Sequence, residues 1–288
     1  MTEELPDANQ AMRHYWNQVA GPRWVAGQGF RERRNQESLA LLLSCLRLTG
    51  GESVLEIGCG TGAVTLPLAQ AVGDQGRVVA IDISVPMLDV ARQRMGESGR
   101  RNITLLLGDA QVMPLERAKF DIATSRMGVM FFADPVAAFR NIGTALKPGG
   151  RLVFACWAPL EENRHWLISY EIAQRHLGAL ASDDAKPGPL AFGDPDYVRR
   201  ILAEAGFAET AIERAHPTII GGTAEEEARQ ALMMGPTARL IEAKQPSDAT
   251  RKVIADEIAA AFAAAASAGP IRLPATIFLV TARRPESH

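Results

Sequence analysis

Apolar residues follow two alternating rhythms along this chain. Short apolar runs occur at Ser53–Ile57 (with Glu56 among them), Arg77–Asp82, Asn102–Leu107, Phe120–Ser125 and Arg151–Cys156. A run without polar alternation predicts a parallel strand covered on both faces. Between most of these runs lie helically spaced stretches. One spans Ala63–Val72, one is capped by Ser84 with Pro86 near its start, and one is opened by Asp134-Pro135. The last runs to Leu146, where Lys147-Pro148-Gly149-Gly150 stops it. Ser and Asp are favoured N-caps and proline is favoured in the first helical turn. Strands alternating with helices through short connections predict a doubly wound parallel sheet.

The flanks are less regular. Asn9–Gln18 carries His14, Tyr15 and Trp16, and Gly21-Pro22 reads as a break before Trp24. Leucines at 39, 42, 43 and 46 give a helical stripe within Phe30–Leu48, closed by Thr49-Gly50-Gly51. Aromatic residues so dense suit either a helix packed on the body of the domain or a lid over its site. Beyond Trp157 come a helical piece at His165–Leu180 and a Pro/Gly loop at Lys186. An amphipathic helix from Asp194-Pro195 to Ala205-Gly206-Phe207 and a sixth strand at Ala208–Ala215 follow. Helices are expected over 223–243 and 247–267, the second alanine-rich but with a face of Ile254, Ile258 and Phe262. A last strand spans Ala275–Ala282. The expectation is one α/β domain over 1–288 with a seven-stranded, mostly parallel, Rossmann-like sheet. Residues 1–48 would be a helical lid, 49–157 the binding core, and 158–192 and 221–268 cap insertions.

Composition narrows the function. The 288 residues carry a net charge of −2, with no basic excess to meet a nucleic acid. No apolar run approaches a membrane span, and the acidic N-terminus is no secretion signal, which predicts a cytoplasmic protein. Cys45, Cys59 and Cys156 are odd in number and scattered, as reduced thiols are. The five histidines (14, 165, 176, 216, 288) lack a metal-ligand spacing, so no metal is expected. Monomer and homodimer both remain open.

The first strand runs into Gly58-Cys59-Gly60-Thr61-Gly62-Ala63. A strand turning into a helix offers free N–H groups and a positive helix end to a ligand, and glycines let it come close. The segment formally matches the dinucleotide pattern G-x-G-x-x-[GA] with Asp82 downstream, which keeps an NAD(P)-dependent oxidoreductase as an alternative. The acidic residues argue otherwise. Glu56 suits a cationic amine and sits badly beside a pyrophosphate. Asp82 suits a ribose diol, and Asp109 can accept from an adenine amino group. Carboxylates at successive strand ends, with Lys147-Pro-Gly-Gly150 before the fifth strand, favour a cationic nucleoside without phosphates, S-adenosyl-L-methionine.

Several motifs together carry a family resemblance. They are Val54-Leu-Glu-Ile-Gly-Cys-Gly-Thr-Gly62, Val79-Ala-Ile-Asp-Ile-Ser84 with Met87, and Leu107-Gly-Asp-Ala110. Phe120-Asp121, Ser125-Arg-Met-Gly-Val-Met-Phe-Phe-Ala-Asp-Pro135 and Leu146-Lys-Pro-Gly-Gly150 complete the set, over about residues 50–157. The chain resembles class I S-adenosylmethionine-dependent methyltransferases of the ubiquinone/menaquinone group. The resemblance implies that Gly58, Cys59, Gly60, Thr61 and Gly62 approach the methionine part, with Glu56 near its amino group. The family's usual residue at 56 is Asp, and Glu reaches one methylene further. It also implies that Asp82 holds the ribose, that Ile83 and Met87 sandwich the adenine, and that Asp109 and Ala110 bind its edge. Arg126 would face the methionine end or the substrate, or pair with Asp134 or Glu56. Met127 and Met130 read as core.

Methyl transfer needs a base only where the acceptor must lose a proton. His14 and Tyr15 in the lid and His165 after the fifth strand are the catalytic candidates, with His216 behind them. Trp16, Trp24, Trp157, Trp166, Phe192, Met233 and Met234 would line an apolar pocket for a small aromatic or apolar metabolite. Such a chain would methylate an O-, C- or N-acceptor and release S-adenosyl-L-homocysteine, or use the bound sulfonium for a non-methylating reaction.

Overall fold

The computed structural model describes residues 9–180, 187–265 and 270–286. Helix α1 (Gln10–His14) runs through a π-helical turn at Tyr15–Val19 into α2 (Ala20–Ala26), followed by α3 (Gln28–Arg34) and α4 (Gln36–Leu46). Next come β1 (Ser53–Ile57), α5 (Thr65–Val72), β2 (Arg77–Asp82), α6 (Val85–Ser98), β3 (Ile103–Leu107), β4 (Phe120–Arg126), α7 (Pro135–Ala145) and β5 (Leu146–Trp157). The C-terminal part holds α8 (Arg164–Leu177), α9 (Pro195–Glu204), β6 (Ala208–Ala215), β7 (Thr218–Ile220), α10 (Ala224–Met233) and α11 (Pro236–Lys244). It ends with α12 (Asp248–Ala265), β8 (Arg272–Pro274) and β9 (Ile277–Arg283).

Seven strands form one sheet in the order β3-β2-β1-β4-β5-β9-β6. The five strands from β3 to β5 run parallel, while β9 is antiparallel to both β5 and β6. This is the mostly parallel, doubly wound Rossmann-like sheet expected from the alternating runs. Val54, Val78, Ile122 and Phe154 have no exposed surface, which is why their strands carry no polar alternation. At the edge, β3 departs from this: Leu107 is half exposed. The chain leaves β1 towards β2 and β3, then returns on the other side to β4. The crevice where direction reverses is the usual ligand position in such sheets.

The Gly21-Pro22 break does not occur. The chain stays helical from Gln10 to Ala26 by widening into the π turn. Pro22 has no N–H for the preceding turn, and a wide turn absorbs that defect. A Cβ on Gly21 would collide with the Trp16 carbonyl and lie 2.6 Å from the Ser84 hydroxyl. That hydroxyl donates to the Trp16 carbonyl at 2.8 Å. Ser84 therefore stands at the N-cap position of α6 without capping it, and ties the N-terminal helices to the domain instead.

Four smaller differences concern boundaries. Residues 60–64 form a turn, so α5 opens at Thr65. Lys147-Pro-Gly-Gly150 lies inside the extended β5. Gly235, at φ +87°, and Pro236 split the 223–243 helix into α10 and α11. The short β7 and β8 pair as a separate two-stranded sheet. Ile254, Ile258 and Phe262 on α12 are fully buried with Ile172 and Leu240, giving the cap helices a core of their own. Lys186 and the end of the alanine run lie outside the described residues.

Candidate functional site

Gly58, Gly60 and Gly62 after β1 all have positive φ (68°, 57° and 81°). A Cβ at Gly58 would lie 2.9 Å from the Cα of Gly128, and one at Gly60 would lie 2.8 Å from Met87 Cε. Glycine is therefore required by packing as well as by φ. The expectation of free N–H groups fails for the first three residues of the turn. Those of Gly58 and Cys59 donate to the Ile81 carbonyl at 2.8 and 3.0 Å, and that of Gly60 donates to Asp82 Oδ2 at 2.7 Å. The turn is bonded to β2 and has those donors in use, so it offers little to a pyrophosphate.

The carboxylates occupy distinct positions. Asp82 Oδ1 also accepts the Ser84 N–H at 2.8 Å, which leaves each oxygen one lone pair. Burial pushes Asp82 up to about 6 against the pull of these backbone N–H groups. Asp109 Oδ1 accepts from the Gln111 N–H at 2.9 Å, while its buried Oδ2 has no partner. Glu56 does not reach the cavity wall. It lies beneath the turn, 1% exposed, and accepts from the Thr65 hydroxyl at 2.6 Å. Burial raises Glu56 to about 7, opposed by the Thr65 bond and by Arg126. Arg126 lines the cavity with its buried Nε unpartnered, and it forms an ion pair with neither Asp134 nor Glu56.

These residues open onto one cavity of about 660 Å³. Gly58, Cys59, Gly60 and Thr61 line it, as do Asp82, Ile83, Met87, Asp109 and Ala110. Gly62 lies behind the wall, where an added Cβ would meet Met95 and Ala91. Tyr15 and His165 line the far end. His14 is exposed and away from it, and His216 approaches Thr276 at 3.3 Å outside it. His165 is 3% exposed between Trp157 and Trp166, with ring centroids 5.2 and 4.8 Å away. Burial and the nearby Arg34 charge hold His165 well below its usual value, so it is neutral. Burial and Glu242 raise the Tyr15 phenol.

All four tryptophans and Met234 line the cavity. Phe192 does not. It packs in the core against Phe139 and Phe154 at 6.0 and 6.2 Å. Met233 contributes only its carbonyl, to Arg23 at 3.2 Å. Met127 and Met130, read as core, both touch the cavity, and Met130 is buried as well. The charged groups at this end are what the sequence reading missed. Arg31 and Arg34 on α3 and Glu227 on α10 are all buried. Both Glu227 oxygens lie 2.6 Å from Arg34 Nη1. Arg31 donates to the Gln230 side chain at 3.2 Å. An Arg-x-x-Arg pair beside Phe30, with Arg33 pointing to solvent, was the available signal, because i and i+3 share a helix face.

The residues fit a phosphate-free cationic nucleoside. Asp82 and Asp109 present acceptors to the cavity, Asp109 through an orphaned oxygen, and the N–H groups of Gly58, Cys59 and Gly60 are already in use. Sequence comparison agrees. Residues 54–150 match the family described as "Methyltransferase domain". The chain is 38% identical over 103 residues to demethylmenaquinone methyltransferase of Lactococcus lactis, covering 36% of this chain and 41% of that protein. It thus spans less than half the length of that relative. To nocamycin O-methyltransferase of Saccharothrix syringae it is 28% identical over 81% of this chain and 85% of that one. The YcgJ protein of Bacillus subtilis shares the fold, with TM-score 0.58, 18% identity and coverage of 88% and 100%. The 2-phytyl-1,4-naphtoquinone methyltransferase of Thermosynechococcus vestitus is 32% identical over 62% of this chain and 80% of its own length. The chain belongs to the class I methyltransferases of the quinone methyltransferase group, whose cofactor is S-adenosyl-L-methionine.

Proposed function

We propose that the protein transfers a methyl group from S-adenosyl-L-methionine to a small, largely apolar or aromatic metabolite. S-adenosyl-L-homocysteine would be the product. The observation that carries this reading is the orphaned Asp109 oxygen, which lines one cavity with a glycine turn whose Gly58, Cys59 and Gly60 N–H groups are already bonded. When bound, the cofactor supplies a methyl already activated on a sulfonium. The protein's own work is then to position the acceptor and to exclude water. Asp82 would accept from the ribose hydroxyls, Asp109 from the adenine amino group, and Arg126 would meet the methionine carboxylate. Residues 1–48 act as lid and 158–192 with 221–268 as cap. Neutral His165 is the residue best placed to take a proton from a hydroxyl acceptor.

Relatives named for quinones and for an O-methyltransferase support an aromatic or polycyclic acceptor. The nicotinamide alternative finds no support in a turn that is bonded to β2. Among the described residues no helix is long and apolar enough to cross a membrane and no metal-binding cluster occurs. A cytoplasmic enzyme free of nucleic acid fits the unpaired thiols and the near-neutral charge. Calorimetry should show S-adenosyl-L-homocysteine binding that is lost in Asp82→Ala, and intact binding there sinks the site assignment. A panel of quinone, phenolic, polyketide and amine acceptors with labelled cofactor, read by mass spectrometry, identifies the acceptor. Turnover without a methylated product would favour a non-methylating reaction instead.

A further inference from the structure

Charge is distributed unevenly between the two ends of the cavity. At the cofactor end the charged residues of the wall are Asp82, Asp109 and Arg126. At the other end Arg31, Arg34 and Arg239 line the wall with Glu227 and Glu242. Arg34 is held by Glu227 at 2.6 Å, and Glu242 is held by Arg23 at 2.7 Å. Among the described residues no carboxylate pairs with Arg31 or with Arg239. Arg31 is 3% exposed, so its charge is unneutralised by any carboxylate and only narrowly open to the cavity it lines. Such a charge is costly unless something pairs with it.

The bonds of Arg31 show what is left over. Nη1 donates to the Arg23 and Trp24 carbonyls, the latter at 2.9 Å, and Nη2 donates to Gln230 Oε1 at 3.2 Å. Nε is buried with no partner. Gly27 makes the pose possible, since a Cβ there would meet Nη1. The guanidinium also lies 5.6 Å from the Trp24 ring centroid. His165, whose Nδ1 is buried without a partner, lines the same end. Carbonyl and amide dipoles hold the cation in place without cancelling it, as expected of a site built for a charged ligand.

We propose that the acceptor is an acid, and that Arg31 binds its anionic group, a carboxylate or the oxygen of an ionised enol, within the tryptophan-lined half. This rests on the methyltransferase reading and adds the charge of the substrate to it. The acid's flat apolar body would lie among Trp24, Trp157 and Trp166. Its anion would pair with the Arg31 guanidinium, and an acid bound as its anion needs no base to ionise it.

The test uses 2-naphthoate and its neutral isostere 2-naphthamide, read by quenching of the four cavity tryptophans. It is run with and without S-adenosyl-L-homocysteine. A charge-assisted bond of this kind should favour naphthoate by about tenfold or more. Arg31→Gln should abolish the preference while naphthamide binding changes less than about threefold, and Arg31→Lys should keep part of it. Equal binding of acid and amide by the unaltered protein, no saturable quenching by naphthoate, or a preference that survives Arg31→Gln overturns the proposal. The first two outcomes need no variant to fold. Parallel calorimetry with S-adenosyl-L-homocysteine separates the readings. If that ligand fails to bind, the methyltransferase reading falls. If it binds and the acid is not preferred, only the inference about the acceptor falls.

Discussion

The two ends of the cavity solve the same problem, charge buried beside an apolar wall, with opposite signs and by different means. The cofactor end is built from consecutive strand ends. Its carboxylates are held by N–H groups two residues on, or in the turn after the neighbouring strand, as Asp82 is by Ser84 and Gly60. The substrate end is built from residues far apart in sequence. Arg34 meets Glu227 and Arg31 meets Gln230, so its electrostatics depend on α3 and α10 closing on each other. Damage to the carboxylates that line the first should change cofactor affinity and little else. Damage to the second should loosen the lid and cap together.

The largest expected effect breaks the second end. Glu227→Ala leaves Arg34 buried and uncompensated, a loss of about 3–5 kcal/mol in stability by urea unfolding. Adding Arg34→Met should recover most of it, because removing both charges costs far less than removing one. A double variant no more stable than the single one would mean that the pair is not the unit of stability.

The next effect lies at the cofactor end. Burial holds Glu56 at about 7, so at acidic pH the folded protein keeps a proton that the unfolded chain releases near 4.5. This group's contribution therefore declines as pH rises from about 4.5 through 7. Glu56→Gln keeps an oxygen for the Thr65 hydroxyl and removes the decline. It should stabilise the protein at pH 8 by about 1–3 kcal/mol, with no gain at pH 5. An equal change at both pH values would rule out titration as the cause. Smaller again is Asp109→Asn. It should weaken S-adenosyl-L-homocysteine by about tenfold, the value of one charge-assisted bond. Its inosine analogue, which lacks the amino donor, should be weakened far less, and equal losses would remove Asp109 from the adenine edge.

The difference between the ends also explains what could be read from the sequence. The strands, the glycine turn and the acidic residues at 82 and 109 are local patterns, each decided within about ten residues, and a doubly wound, mostly parallel sheet follows from their alternation. The position of Glu56 was not legible, because one methylene decides whether a carboxylate faces the cavity or the Thr65 hydroxyl. Arg31 and Arg34 look like an ordinary solvated helix face until α10, some two hundred residues later in the chain, packs over them. Phe192 was misplaced for the same reason. Its aromatic neighbours Phe139 and Phe154 lie in the sheet and α7, not in the cap. Gly21-Pro22 reads as a break because the compensating hydroxyl belongs to Ser84, more than sixty residues downstream.

The smallest effect is a pH dependence that separates the ends without any mutation of the substrate side. Asp82 sits at about 6, so below that pH the free protein carries a neutral acid where a ribose acceptor is needed. A bound diol favours the ionised form, and binding near pH 6 should therefore release a proton. S-adenosyl-L-homocysteine affinity should rise about fourfold from pH 5.5 to 7.5 and level off above. Calorimetry in buffers of different ionisation enthalpy reads the proton directly. Asp82→Asn should flatten the profile, although its affinity is lower throughout. The preference for naphthoate over naphthamide should stay constant over the same interval, since Arg31, though lowered to about 10 by burial and Arg34, remains charged across it. If both ligands tracked pH together, the two ends would be coupled through lid closure rather than independent, and the opposed charges would describe one binding event, not two.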